Sequence, residues 1–108
     1  MCCSRIRVTL NGMVKDKLGG FAGTDQKASK LTNNRIYWNQ TDGDQALWWD
    51  NINKWRIGSS SYLGSNTGYI TSVQDSACPT SDNLFKYYDS DSGKWPLAPI
   101  NSVSIQCV

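Results

Sequence analysis

The sequence predicts an all-β fold: a single small antiparallel β domain, meander or sandwich-like in layout and held by disulfides. Three observations point there. Apolar and polar residues alternate in short runs, and no long stretch repeats at helical spacing. Gly, Ser, Asn and Asp fill the gaps between those runs, which is the composition of turns. Four cysteines, an even number, sit in a turn-rich chain of 108 residues.

Residues 5–10 (RIRVTL) put Ile6, Val8 and Leu10 on one side and Arg5, Arg7 and Thr9 on the other, a first strand. Asn11-Gly12 follows as a turn, the stretch up to Asn34 is polar and Gly-rich, and residues 27–34 are expected to be loop or weak strand. Residues 35–39 (RIYWN), 46–50 (ALWWD) and 54–58 (KWRIG) form a β-meander. Its first link, QTDGD, contains the hairpin signal Asp42-Gly43, and its second is Asn51-Ile52-Asn53. After a Ser- and Gly-rich segment at 59–66, residues 68–73 (GYITSV) make a further strand, ended by the turn-like ACPT at 77–80. Residues 84–89 (LFKYYD) are strand-like, DSDSG at 89–93 turns the chain, residues 94–97 pair back, and residues 102–108 close it. No linker or internal repeat divides residues 1–108, a length near the commonest domain size.

Aromatic doublets stand out: Tyr37-Trp38, Trp48-Trp49 and Tyr87-Tyr88. Neighbours in a strand point to opposite faces, so a half-buried strand hides one ring of each pair. Placing the purely apolar partners inside fixes the phase: Ile36 takes Trp38 inward, Leu47 takes Trp49, Ile57 takes Trp55 and Phe85 takes Tyr87. The opposite face then carries Arg35, Tyr37 and Asn39, Trp48 and Asp50, Lys54 and Arg56, Lys86 and Tyr88. Rings among carboxylate, amide and guanidinium groups suit sugars, whose C–H faces stack on aromatics while their hydroxyls bond to polar groups. The expected ligand-binding residues are therefore Tyr37, Trp48 and Tyr88, with Asn39, Asp50 and Arg56 as polar partners. The competing reading is that Gly-rich loops or Arg and Lys stems simply cover these rings.

Other chemistry is poorly supported. The chain has no Glu and no His, and its nine Asp residues are expected in turns, so no acid–base pair or catalytic triad is evident and enzymatic activity is not expected. A glycosidase could use two Asp residues, such as Asp50 and Asp89, but spacing alone does not show them facing a common bond. No cofactor is expected. Calcium near Asp89 and Asp91, in DSDSG, is the weaker alternative to a plain hairpin turn, and zinc is disfavoured by the absence of His and CxxC.

The net charge of +2 comes from scattered Lys and Arg, not from a basic stripe, which argues against nucleic acid. No segment is long and apolar enough to span a membrane. MCCSRIRVTL is too short and polar for a signal peptide, the expectation for a mature or excised module starting at an initiating Met.

Cys2, Cys3, Cys78 and Cys107 favour disulfides and an oxidising compartment. A bond from Cys107 to Cys2 or Cys3 would tie the termini, leaving the other N-terminal cysteine for Cys78; alternatively one of the adjacent pair reaches another chain. The sequon Asn39-Gln40-Thr41 is compatible with secretion.

NNRIYWN, ALWWD, KWRIG, YLGSNTGYI, ACP, FKYYD, GKWPLAP and SVSIQC together resemble a Tyr/Trp-rich module of secreted proteins from marine invertebrates, over about residues 19–107. The resemblance implies an extracellular module and carries no site residues. In that pattern a Gly is expected where Asn34 stands, so the turn before Arg35 is expected to differ here.

The sequence thus points to an extracellular, lectin-like carbohydrate-binding module. Single-site affinity would be weak, so a homo-oligomer is expected. The rival is a structural or adhesive subunit that assembles, into a fibre where contacts stay open, through its aromatic face and interchain disulfides, with a neighbouring subunit as partner instead of a glycan.

Overall fold

The first strand is where its alternation put it: β1 is Arg5–Leu10, with Ile6, Val8 and Leu10 buried. The structure is a computed structural model describing residues 2–74 and 76–108, so Met1, expected to be an initiating residue, lies outside the described residues. The chain continues through β2 (Gly23–Thr32), β3 (Arg35–Gln40), β4 (Gln45–Trp49), β5 (Trp55–Ser59), β6 (Ile70–Ser72), β7 (Phe85–Tyr87) and β8 (Val103–Cys107). Among the described residues these eight strands form one antiparallel sheet in the order β7-β6-β5-β4-β3-β2-β1-β8. The chain is therefore a continuous meander whose last strand returns beside the first, and the sheet curls until it is nearly closed.

Inside the curl lie the residues that strand phase assigned there. Trp38, Leu47, Trp49, Trp55, Ile57, Phe85 and Tyr87 join Ile6, Val8, Leu10 and Ile105 in one core, with Ile36 packed at its margin. Trp49 and Trp55 meet edge to face at 5.3 Å between centroids, and Trp38 lies 5.8 Å from Trp55. Aromatic pairs in such arrangements add about 0.5–1.5 kcal/mol each beyond the area they bury. The buried indole N–H groups find backbone carbonyls: Trp38 donates to Cys3 and Trp55 to Ser76. Arg35 lays its guanidinium 3.7 Å above the centroid of Trp49 and donates to the Ser76 carbonyl, closing that end of the core.

Between β1 and β3 the structure adds elements that the sequence left unassigned. The segment after Asn11 holds a short helix: α1 spans Gly12–Leu18 and is followed by a 3-10 turn at Gly19–Phe21. Seven residues are too few to show helical periodicity, and only Val14 of α1 is buried. Of residues 27–34, expected as loop or weak strand, 27–32 are strand, the end of the ten-residue β2 with a register irregularity between Lys27 and Leu31, and 33–34 are its turn. Its mostly exposed residues hid it, because alternation is visible only where one face is buried.

Asn33 and Asn34 connect β2 to β3 with φ of 50° and 65°. Both central residues in the left-handed region make this a two-residue hairpin turn, which matches the twist of the strands it joins. Asn adopts that region more readily than other non-glycine residues, so it serves at position 34 where Gly was expected. Asn33 also bonds outward, donating to the carbonyls of Trp49 (2.8 Å) and Gly64 (2.9 Å).

The cysteines form Cys2–Cys78 and Cys3–Cys107, all four within the chain. Interchain disulfides through Cys2 or Cys3 are thereby corrected: each thiol is already consumed by an intrachain partner. The adjacent cysteines precede β1, one reaching the end of β8 and the other the connection between β6 and β7. They act as a covalent seam between the two ends of the strand order.

At the opposite end α1 makes a second closure. Lys17 Nζ lies 2.6 Å from Asp91 and 3.1 Å from Asp89, and the Tyr87 hydroxyl donates to the Met13 sulfur. Asp89 also accepts from the Asp91 amide and the Ser92 hydroxyl, as a hairpin turn should. Its carboxyl is held below the usual range chiefly by Lys17, and the Lys17 ammonium is pushed upward by Asp91 and Asp89. At the place of the calcium alternative these carboxylates converge on an ammonium, and no cluster of three metal-binding side chains occurs among the described residues.

A candidate aromatic cleft on the outer face of the sheet

Register determines which outward side chains become neighbours. Ile57 faces Ile70 and Ile70 faces Tyr87, all inward. One residue along, Tyr69 and Tyr88 point outward side by side, with the Tyr88 amide donating to the Tyr69 carbonyl at 2.8 Å. Beyond β7, residues 94–97 pair back as expected, through bridges Asp89–Lys94 and Lys86–Leu97, which sets Trp95 beside Tyr88.

The result is a row of rings on three adjacent segments. Tyr69 and Tyr88 are 6.1 Å apart, and Tyr88 and Trp95 5.5 Å, tilted by 59° and 54°. Phe21 extends the row, its ring 5.2 Å from Tyr69. A shallow cleft of about 310 Å³ opens over Tyr69, Tyr88 and Trp95, with Asn66, Thr67 and Gly68 as its polar wall. Tyr69 is 40% exposed and Trp95 36%.

Of the residues expected to bind a ligand, only Tyr88 belongs to this cleft. Tyr37 is half-buried and Asn39 exposed on β3, with β4, β5 and β6 intervening before β7. Ring contacts among the described residues join Tyr88 to Tyr69 and Trp95, and none includes Tyr37.

Trp48, Asp50 and Arg56 require an outright correction, because all three are buried on the outer face, at 0%, 1% and 5% exposure. The loop from Ser60 to Gly68 folds back over Trp48, whose indole N–H donates to the Ser65 carbonyl at 2.8 Å. Two glycines permit the approach. A Cβ on Gly58 would stand 2.8 Å from the Gly68 Cα, and one on Gly68 would stand 2.7 Å from the Arg56 stem. Asp50 bonds Arg56 Nε at 2.8 Å, while its other oxygen accepts from the amides of Ile52 (2.9 Å) and Lys54 (3.0 Å). Asp50 is thus a turn-building and charge-matching residue. It is also separated in role from Asp89, which sits in the hairpin turn with Lys17.

Tyr69 and Trp95 were missed although their signals were present. Ile70 inward places Tyr69 outward, and the expected return of residues 94–97 places Trp95 next to Tyr88.

Asp25 is a further departure, since it stands in β2 and not in a turn, directly across from the inward-facing Ile6. It is 2% exposed, its Oδ1 has no hydrogen-bond partner among the described residues, and burial pushes its carboxyl up to about 7. The unfolded chain then loses this proton near pH 4 and the folded one near pH 7. Stability is accordingly full below about pH 4, falls as pH rises through 7, and levels beyond, by on the order of a few kcal/mol. Asp25→Asn is expected to flatten that decline in urea midpoints measured from pH 4 to 8; an unchanged slope would assign it to another group.

Scans against family models, curated proteins and solved structures find no match to this chain. No helix among the described residues is long and apolar enough to cross a membrane.

Proposed function

We propose that the protein is an extracellular carbohydrate-binding module whose ligand stacks in the Tyr69–Tyr88–Trp95 cleft. The carrying observation is that three rings from separate segments share one solvent-open row beside Asn66 and Thr67. Pyranose C–H faces pack on such rings, while an amide, a hydroxyl and two phenols are placed to bond with sugar hydroxyls. Tilts of 54° and 59° make the row a trough, suited to a single oligosaccharide chain more than to a flat crystalline surface. Two disulfides in a chain of this size support an oxidising, extracellular setting, in keeping with the resemblance to secreted modules.

Each stacked ring contributes on the order of 1 kcal/mol, so one site binds weakly and several copies act together. A glycan array probed with the wild type and Trp95→Ala tests this directly. The half-exposed Trp95 lies outside the core, so the variant should keep its melting temperature and lose sugar binding roughly fivefold or more. Self-association without sugar binding, abolished by Trp95→Ala in light scattering, would instead assign the row to a subunit interface.

A further inference from the structure

Two residues along the strands from the aromatic row lies a second outward row: Arg56, Thr71 and Lys86 are direct cross-strand partners on β5, β6 and β7. Two residues of antiparallel strand span about 6.8 Å, close to one sugar residue. This row forms part of a groove of about 320 Å³, bordered also by Lys54 and Ile52. The two clefts meet at Arg56, whose guanidinium carbon lies 5.7 Å from the Trp95 ring centroid.

Charge in the groove is one-sided. Arg56 is matched by Asp50, but Lys54 and Lys86 border the groove with no carboxylate among its described lining residues. Lys54 donates to the Val73 carbonyl at 2.9 Å, which fixes its ammonium at the rim and leaves two of its three N–H donors unspent on that bond. Lys86 is exposed and faces Thr71, whose side chain also lines the groove.

We propose, building on the carbohydrate reading, that the ligand is an acid-substituted oligosaccharide: one sugar stacks on Tyr88 and Trp95, and a sulfate or carboxylate on the next sits between Lys54 and Lys86. The aromatic row supplies most of the binding, and the lysines select charged over neutral chains. Charge-assisted hydrogen bonds are stronger than neutral ones, so the selectivity is about tenfold and falls as salt is raised.

The test is titration calorimetry with matched dextran and dextran sulfate oligosaccharides, followed by a panel of other neutral and sulfated pairs on an array. Wild type should bind the sulfated member about tenfold more tightly. Lys86→Ala should erase that preference without weakening neutral binding, Lys27→Ala on the exposed part of β2 should change nothing, and Trp95→Ala should weaken both. Equal affinity for charged and neutral members across the panel overturns the charge selectivity and leaves the carbohydrate reading standing. So does an equal loss in Lys27→Ala and Lys86→Ala, or sulfate binding indifferent to Trp95→Ala, each of which marks diffuse attraction to a cationic surface. Binding to no member of any pair overturns both.

Discussion

Asp50→Ala should lower the unfolding free energy by about 3–5 kcal/mol, the usual penalty for removing one partner of a buried ion pair. Arg56 is 5% exposed, and without Asp50 its charge stays buried with no opposing carboxylate among the described residues. The same substitution removes the acceptor for the amides of Ile52 and Lys54, so the β4–β5 turn loosens as well. Asp50→Asn divides the two effects. It keeps an oxygen for the turn amides but offers Arg56 no charge, and should fall between wild type and alanine. Arg56→Met combined with Asp50→Ala should be less harmful than the sum of the single changes, because contacting partners are not additive. Urea midpoints of the wild type and these four variants, Arg56→Met alone included, provide the check; a loss below about 1 kcal/mol for Asp50→Ala would mean that Arg56 reaches water when released.

Removing the disulfides should be comparably damaging, and unequal in where it acts. Their partners are 76 and 104 residues apart, and in the chain-entropy account a loop of about 100 residues contributes about 4.7 kcal/mol. The loops overlap, so the contributions will not simply add. Cys3–Cys107 reinforces a β1–β8 ladder that already pairs five residues of each strand. Cys2–Cys78 instead anchors the connection between β6 and β7, the two strands whose outer ends Tyr69 and Tyr88 adjoin. Cys2→Ser with Cys78→Ser should therefore raise amide exchange across residues 76–84 and weaken the cleft, whereas Cys3→Ser with Cys107→Ser should leave that connection protected and lower the melting temperature. Reduction of both should unfold the domain at 37 °C. A melting curve unmoved by reductant would show that packing alone closes the sheet.

Local alternation was enough to read most of the fold. β1, the β3–β4–β5 meander, the return of residues 94–97 and every inward ring from Trp38 to Tyr87 followed from the rule that neighbours in a strand face opposite ways. β2 and α1 escaped it for complementary reasons: one buries too little to show a pattern, and the other is too short to show a period. For the site, alternation identified outward rings without locating them. Tyr37 and Tyr88 share a face but stand on β3 and β7, a separation set by strand order, while Tyr69 and Trp95 become neighbours of Tyr88 through pairings distant in sequence. Trp48 illustrates the remaining gap, since its phase was read correctly and yet a loop lies over it, admitted by Gly58 and Gly68. Facing is a property of one strand and is written in consecutive residues; exposure depends on what the rest of the chain lays on top, which only the assembled sheet decides.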